Sequence, residues 1–462
     1  MDLAVPRRPA LATAAVTGAG LVAAAGFGVV IAAVGAAVGA AAMLALPVAV
    51  VLVATTLSRP LVGVALVVLA IPIGLHTLPV GFVVVQGVAM AAIATTVLVR
   101  LGRGQAPLPL PAPVLWGVAV LVLCLLATPR ALDSTLAVKQ DIDVVLGLLL
   151  ALTTVSAAAS MLAVRRVAHL LLAVGLAIAV LSLGHASALH AVAGAQRVDN
   201  RLQGTFTEPN QFGGFSAMVV AVAIGLALSA RSRRERVWCA VAGTTVGVAM
   251  LLALSRGAWI GFLFAGALLL VFVPGARRAL AAGVLVALVA IPLLGVLTPD
   301  IPQVTIVRER VSTVHLPANT PYDSRPAIWR EALREIGTSP LLGQGPGQFP
   351  VVARQSASGA ATVSPQHGHN VLLTVAAEAG IPAALCLVGF TVTMLLVLRR
   401  TVQRLRGSPD AALVAGLGAA LAVVVGQGIV DFTLRNADIF LLLSVLVGLL
   451  LAASRDVERT HA

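Results

Sequence analysis

Long apolar stretches recur along the whole chain, separated by short polar segments. An α-helix needs about 20 apolar residues to cross the hydrocarbon core of a bilayer. Fourteen stretches approach that length, near residues 10–28, 32–56, 60–75, 80–99, 112–127, 142–163, 167–186, 211–229, 237–254, 258–273, 279–297, 371–397, 411–430 and 437–453. The first two merge and two others are short, so the pattern predicts an all-α, polytopic membrane protein with twelve to fourteen transmembrane helices.

The composition supports a membrane protein. Hydrophobic residues make up 59% of the 462 residues, charged residues only 11%, and the mean hydropathy is +1.02. A soluble domain carries roughly 25% charged residues, so lipid must solvate much of this surface.

The basic residues alternate along the chain instead of forming one patch. Thirty of the 31 are arginines, and nineteen basic residues lie in every second gap between the apolar stretches. The short gaps between hold six, and one long loop holds another six. Because Arg and Lys concentrate on the cytoplasmic side, we expect both termini in the cytoplasm. The net charge of +13 therefore indicates topology and argues against nucleic-acid binding.

These boundaries divide the chain into three parts. Residues 1–297 form transmembrane helices with short loops, residues 298–370 form a long extracytoplasmic loop, and residues 371–462 form the C-terminal transmembrane helices. Within the loop, Ser324 and Pro326 predict the start of a short helix, and Gly337 predicts its end. We expect this helix to bury the face formed by Trp329, Leu333 and Ile336 against the membrane or a cavity mouth.

Chemically varied residues concentrate on the side with few arginines. His367 and His369 end the long loop, and histidine moves protons readily near neutral pH. Arg201, Arg256 and Arg325 lie on the same side, and the guanidinium fork suits phosphate. Together they predict a site at the membrane surface for a lipid-linked phosphate donor.

Two further features favour an anion site. Three glycines between Gly343 and Gly347 permit turns that expose backbone N–H groups as an anion nest. Glu378 lies in an apolar stretch, where a carboxyl group marks either function or a buried partner such as arginine.

Several motifs in the order in which they occur resemble the O-antigen ligase and O-antigen polymerase superfamily, which includes bacterial protein O-oligosaccharyltransferases. They are Arg201-Leu202-Gln203-Gly204-Thr205-Phe206 with Pro209-Asn210, Ser255-Arg256-Gly257-Ala258-Trp259, Ser324-Arg325 with Trp329, Pro340-Leu341-Leu342-Gly343 with Gly345 and Gly347, and His369-Asn370 followed by Gly380-Ile381-Pro382-Ala383. The resemblance spans roughly residues 201–383. Ala383 replaces the glycine that often ends the ligase histidine motif.

The resemblance implies a GT-C-like glycosyltransferase in the bacterial plasma membrane. The family moves glycan from an undecaprenyl-diphosphate carrier to an acceptor hydroxyl, and the reaction is expected to invert the anomeric carbon and to need neither metal nor cofactor. By motif, His369 is the expected base, while Arg256 and Arg325 hold the diphosphate. Residues expected to bind substrate or support the site are Arg201, Asn210, Asn370, Trp329, Gly345 and Glu378.

Three alternatives stay open. One is a repeat-unit polymerase of the same superfamily. Another is a metal-dependent GT-C enzyme that uses Asp141 and Asp143 or His367 and His369 as ligands. The third is a flippase for lipid-linked glycan, although a transporter should carry polar residues deep in several spans.

Overall fold

The computed structural model describes residues 55–56, 59–70, 81–106, 108–183, 196–198, 201–273, 275–278, 281, 325–356 and 367–461. The predicted span at 10–28 lies outside these residues, and the predicted spans at 32–56 and 279–297 lie almost entirely outside them. The predicted cap at Ser324 also lies outside them.

Helices dominate the described residues. They are α1 (Pro60–Ala70), α2 (Gly81–Gly102), α3 (Ala112–Ala127), α4 (Ser134–Ala157), α5 (Met161–Leu183), α6 (Pro209–Leu228), α7 (Arg233–Leu252), α8 (Arg256–Phe272), α9 (Arg325–Thr338), α10 (Phe349–Gln355), α11 (Val371–Ala379), α12 (Ile381–Arg404), α13 (Asp410–Gln427) and α14 (Ala437–His461). Short 3₁₀ helices cover Thr128–Arg130 and Thr433–Arg435. An antiparallel ribbon of β1 (Gln196–Val198) and β2 (Arg201–Gly204) precedes α6.

Within these ranges, seven helices are long and apolar enough to cross a membrane. They are α3 with its 3₁₀ extension, α5, α6, α7, α12, α13 and α14. Shorter apolar helices are α1, the part of α2 after Gln86, and α8. The prediction of an all-α polytopic membrane protein is confirmed, with the small β-ribbon as a local addition.

Two predicted boundaries were wrong. The stretch near 142–163 is a helix that already begins at Ser134, because the Asp133 side chain accepts the N–H of Leu136 and caps it. The stretch near 371–397 is two helices, α11 and α12, which meet at Gly380 with φ +89°. A Cβ at Gly380 would clash with the carbonyl oxygen of Leu341. The loop of residues 341–347, which we call the glycine loop, therefore packs against the break.

The helix ends fall into two groups, which correspond to the alternation of arginines in the sequence. At the arginine-rich end, Arg165 of α5 donates to Glu235 of α7 and to Asp410 of α13, each at 2.8 Å. At the opposite end, the Gln348 side chain bonds the backbone of Asp133 at 2.8 and 3.0 Å. We call this second end the site end.

Small residues let the central helices approach closely. Buried α13 packs against α6 and α8, and a Cβ at Gly225 of α6 would lie 2.8 Å from the Ala412 carbonyl oxygen. Close backbone approach of this kind is how helices pack in membranes, where water supplies no hydrophobic force between them. This packing holds the start of α8 and the end of α13 side by side at the site end.

Candidate functional site

The segment Gly428–Phe432, which follows α13, joins the elements that contain the predicted site residues. Three of its carbonyl oxygens accept hydrogen bonds from distant parts of the chain: Gly428 from the N–H of Val371 at 2.8 Å, Ile429 from Asn370 Nδ2 at 2.9 Å, and Val430 from Arg325 Nε at 3.0 Å. The segment therefore ties the end of the long loop and the start of α9 to the end of α13.

The next residue of this segment, Asp431, pairs with His369. Asp431 Oδ1 lies 3.2 Å from His369 Nδ1, and the carboxylate also accepts the N–H of Phe432 at 2.8 Å. Asp431 is 2% exposed, whereas the His369 side chain is 27% exposed. His369 has φ +46°, an unusual value for a residue other than glycine. A histidine with one ring nitrogen on a buried carboxylate and an accessible edge is arranged for proton transfer.

His367 packs directly behind this pair. The ring centroids of His367 and His369 are 4.3 Å apart, and His367 Nδ1 accepts the backbone N–H of His369 at 3.2 Å. His367 Nε2 is 3.8 Å from Asp431 Oδ1. The family motif assigns His367 no role. In the structure its ring packs against His369 and accepts the His369 backbone N–H, which stabilises the turn there.

Burial and neighbouring charges set the protonation states of Asp431 and His367. Burial alone would raise the pKa of Asp431, but the hydrogen bond from His369 and the nearby His367 ring hold it below the usual value. Burial and the neighbouring His369 lower the pKa of His367 to about 3. Asp431 is thus ionised and His367 neutral at physiological pH.

The predicted arginines approach the same segment from two helices. Arg325 begins α9, and its Nε donates the hydrogen bond to the Val430 carbonyl oxygen described above. Arg256 begins α8, whose cap is Ser255, and the following residue, Gly257, abuts the segment: a Cβ there would lie 3.8 Å from Asp431 Cβ. Among the described residues, the Arg256 side chain has neither a hydrogen bond nor an ion pair. A partly buried guanidinium of this kind is suited to an external anion.

Three other predicted residues lie around this core. Arg201 bonds the Ala253 carbonyl oxygen at 3.1 Å and the Asn210 side chain at 2.8 Å. Asn210 is linked in turn to the end of α13, because its carbonyl oxygen accepts Gln427 Nε2 at 3.0 Å. Trp329 donates its indole N–H to the His369 carbonyl oxygen at 3.4 Å. These contacts link Arg201 and Asn210 to the end of α13 and link Trp329 to His369.

Asn370 caps α11. Its side chain accepts the N–H of Leu373 at 2.9 Å while its amide group donates to Ile429. Asn370 was expected to bind substrate or support the site, and the structure shows it as a helix cap. The orienting residue is Asp431.

The glycine loop forms a nest, and an internal carboxylate fills it. The backbone N–H groups of Gly347 and Phe349 donate to the Glu378 side chain, the latter at 3.1 Å, and Arg435 pairs with the same carboxylate at 3.2 Å. The N–H of Gly345 is also used, on the Glu378 carbonyl oxygen at 2.9 Å. Glu378 and Gly345 therefore hold the loop against α11, next to the His369 core.

The loop helix α9 buries a different face from the predicted one, although Ile336 of the predicted face is half-buried against the same cluster. Its buried face contains Ile328, Glu331, Ala332 and Glu335, whereas Leu333 is 58% exposed. Hydrophobic spacing failed here because two acids are buried: Glu331 pairs with Arg334 and Ser356, while both carboxyl oxygens of Glu335 lack a partner among the described residues.

One cluster among the described residues has metal-ligand geometry. One ligand atom each from His367, His369 and Asp431 lies within 4.8 Å of the others, so these three could hold one ion. Asp141 and Asp143 do not form such a pair, because Asp141 accepts from Thr128 at 2.6 Å and Asp143 from Gln86 at 2.8 Å. Two residues apart on a helix, their side chains point to different neighbours.

An apolar cavity of about 490 Å³ opens beside the site. It starts at Asn370 and Ile429, next to His369, and continues between α12 and α13 as far as Leu450 of α14. Its lining is almost entirely aliphatic and aromatic, so it suits a hydrocarbon chain whose polar end lies at His369.

Motif reasoning missed Asp431 and Arg435. Both lie in the short polar segment between α13 and α14, beyond the residues that resemble the family. The available signal was position: a charged residue between two spans on the side with few arginines.

The fold and the site define a polytopic membrane protein with a histidine–carboxylate pair and arginines at one end of its helices. Residues 245–388 match the family model of O-antigen ligase, which confirms the resemblance predicted from the motifs. The match includes Arg256, Arg325 and His369 and supports a ligase- or polymerase-like glycosyltransferase family. Such a family implies a lipid-linked glycan and an acceptor. No curated protein compared with the chain matches it.

Proposed function

We propose that the chain transfers a glycan from undecaprenyl diphosphate to an acceptor hydroxyl at the outer face of the bacterial plasma membrane. The observation that supports this most directly is the meeting of His369, Asp431 and Arg325 on one segment, with Arg256 beside it. Proton transfer and diphosphate binding are the two tasks that such a reaction requires.

In this proposal His369 is the general base. With its Nδ1–H donated to Asp431, the neutral ring has its lone pair on Nε2. Nε2 accepts the proton of the acceptor hydroxyl as that oxygen forms a bond to the anomeric carbon. The bond from this carbon to the diphosphate breaks, the diphosphate leaves with the electron pair, and the anomeric configuration inverts. Asp431 stabilises the imidazolium that forms.

Arg256 and Arg325 act on the leaving group. Charge grows on the diphosphate as it departs, and fixed guanidinium groups in a poorly hydrated site stabilise that charge. Because they contact phosphate before and after bond breaking, they contribute to carrier binding as well as to turnover. Arg201, Asn210 and Trp329 are proposed to border the sugar, while Asn370, Gly345 and Glu378 shape the site from behind.

The polyprenyl tail is proposed to lie in the apolar cavity between α12 and α13. The cavity lining includes Asn370, one residue from His369, and its otherwise apolar lining suits an isoprenoid chain. A tail held there would position its diphosphate at the arginines.

The orientation follows from the arginine count. We propose that the site end, with residues 298–370, is extracytoplasmic, and that both termini are cytoplasmic. Residues 1–297 and 371–462 then provide the transmembrane helices. A cysteine at Gly359 should react with an impermeant reagent from outside, whereas one at Ser408 should not. The reverse labelling would move the site to the wrong face for an exported donor.

A metal-dependent transferase is the second candidate, favoured by the three ligand atoms of His367, His369 and Asp431. A repeat-unit polymerase would use the same site with a growing glycan as its acceptor. These alternatives differ in metal requirement and in product.

The deciding experiment uses the purified protein in liposomes with an undecaprenyl-diphosphate glycan and candidate acceptors. We expect transferred glycan of inverted configuration, with undecaprenyl diphosphate released, at full rate in a strong chelator. Loss of transfer in chelator that manganese or magnesium restores would establish the metal-dependent candidate. Movement of intact donor across the bilayer without transfer would contradict an enzyme.

A further inference from the structure

A second cavity lies at the arginine-rich end, far along the helices from His369. It has a volume of about 270 Å³ and lies where α2, α4 and α14 end. Four arginines line it: Arg100 and Arg103 from the end of α2, and Arg455 and Arg459 from α14.

Among the described residues, every formal charge in the lining of this cavity is positive. No acidic residue is among the described residues that line it. Of the two acids on α14 near the pocket, Asp456 accepts the N–H of Met161 at 2.9 Å, while the exposed Glu458 pairs with Arg404 at 3.3 Å and also lies in electrostatic range of Arg455. The arrangement contrasts with Arg165 at the same end, which binds two carboxylates.

The arginines also repel one another. Arg455 is only partly exposed and lies in electrostatic range of Arg100 and Arg459. Arg100 is held in place because its Nε donates to the Ala106 carbonyl oxygen at 2.8 Å, which keeps its guanidinium at the cavity wall. Like charges held together in a partly buried place destabilise the fold unless an anion joins them.

We propose that this four-arginine pocket binds a phosphate group, either in the head group of an anionic lipid or in a soluble phosphate compound. Guanidinium forks bind two phosphate oxygens at once, and Gln105 and Ser156 in the lining add polar hydrogen-bonding groups. Pro60, Val99 and Val155 form an apolar part of the wall, as a lipid phosphate with its glycerol requires. Basic pockets between transmembrane helices bind anionic head groups in this way.

The site is separate from the proposed donor site. Asn436, directly before α14, bonds Gln211 at the site end at 3.0 Å, whereas Arg455 and Arg459 lie near the other end of the same helix. An occupant of this pocket is therefore not the diphosphate that reacts at His369.

The test is a titration of the purified full-length protein, read by native mass spectrometry. The probes are phosphatidylglycerol, phosphatidylcholine and inorganic pyrophosphate. The pocket variant is Arg455→Gln with Arg459→Gln, and the charge-matched control is Arg399→Gln with Arg400→Gln, two exposed arginines of α12 at the same end. Thermal unfolding without anion shows whether each variant folds. The pocket variant should be at least as stable as the wild type, because repulsion is removed.

We expect phosphatidylglycerol to bind the wild type and the control alike and the pocket variant at least about tenfold more weakly. If pyrophosphate binds with the same pattern and the lipid does not, the source is soluble phosphate and the pocket assignment still holds. Equal losses in both double variants would mean general charge attraction and would overturn the proposal. Failure of the wild type to prefer either anion over phosphatidylcholine would overturn it as well.

Discussion

Two histidine–carboxylate pairs lie at opposite ends of the molecule, and their geometry is nearly the same. His369 Nδ1 is 3.2 Å from Asp431 at the site end, and His169 Nε2 is 3.1 Å from Glu235 at the arginine-rich end. The two histidine side chains are 27% and 28% exposed. The distance and the exposure of the histidine do not distinguish the two pairs, but the Asp431 side chain is 3% exposed and the Glu235 side chain 20%.

The other partners of the two carboxylates also differ. Glu235 also accepts Arg165 at 2.8 Å and the backbone N–H of Arg231 at 2.8 Å, so its charge is balanced by a cation that joins three helices. Asp431 has His369, the neutral His367 and one backbone N–H, while Arg325 donates Nε to a carbonyl oxygen of the same segment. The comparison teaches that a carboxylate neutralised by arginine fastens helices, whereas one bonded mainly to histidine can support proton transfer.

The largest effect on activity is expected from removing the site-end arginines. Arg256→Ala with Arg325→Ala should lower kcat/KM by about 10²–10⁴, because each charge-assisted contact to phosphate contributes about 1.5–3 kcal/mol. Carrier binding should weaken together with turnover. Arg256→Lys should also be impaired, since an ammonium group lacks the two-pronged contact. Steady-state transfer kinetics of the double variant and of Arg256→Lys measure these losses.

The matched control is Arg399→Ala with Arg400→Ala, which removes two exposed arginines at the other end. If that variant loses as much carrier affinity as the site-end variant, the site-end arginines have no special role.

The arginine-rich end should respond in stability. Arg165 is 6% exposed, and Arg165→Met leaves Glu235 and Asp410 without their buried partner. We expect a loss of about 3–5 kcal/mol in the free energy of unfolding. Turnover per folded molecule should be unchanged, which denaturant titration and transfer assays together can test. A normal stability with lost turnover would reverse the roles of the two ends.

Replacing the carboxylates sharpens the contrast. Asp431→Asn removes the negative charge that accepts from the imidazolium, and a hydrogen bond to a charged group is worth about 1.5–3 kcal/mol, so turnover should fall by about 10- to 100-fold. Glu235→Gln should leave turnover per folded molecule near the wild-type value. Equal turnover for the two variants would show that the pairs are not functionally distinct.

The smallest effect on transfer is expected at Glu335. Its ionisation instead makes the stability of the folded protein depend on pH. Burial, followed by the nearby Glu331 and Glu378 carboxylates, raises the pKa of Glu335 to about 9. The folded protein keeps a proton that the unfolded chain releases above pH 4.5. Stability is thus fully present below that pH and falls as pH rises toward about 9, by up to about 1.4 kcal/mol per unit.

Glu335→Gln cannot ionise, so its unfolding temperature should depend less on pH between 6 and 8.5 than that of the wild type. Parallel pH profiles would show that Glu335 is already ionised in the folded protein.

Sequence predicted the helices well where a single property decides them. Bilayer thickness requires long apolar stretches, and α5, α6 and α13 follow them closely. Prediction failed where tertiary contacts decide. The helix breaks at Gly380, inside one long apolar stretch, because the glycine loop packs there. The buried face of α9 contains acids that hydrophobic spacing cannot anticipate.

The candidate site was predicted only in part. The motifs identified His369, Arg256 and Arg325, but a motif lists residues without their partners. Asp431 is distant in sequence and reaches His369 only through the packing of α13 against α8 and α11. The same reason explains why Arg435, the partner of Glu378, was not foreseen.

The most direct test of this account compares His369→Ala with His169→Ala in the reconstituted transfer assay. A base that takes a proton in the transition state contributes about 10²–10⁴ in rate, so His369→Ala should lose that much turnover while carrier binding persists. His169→Ala, with nearly the same carboxylate contact, should keep turnover within about twofold of the wild type. If His369→Ala transfers glycan at a normal rate, or if the two variants lose equal turnover, the assignment of the base to the site end is wrong.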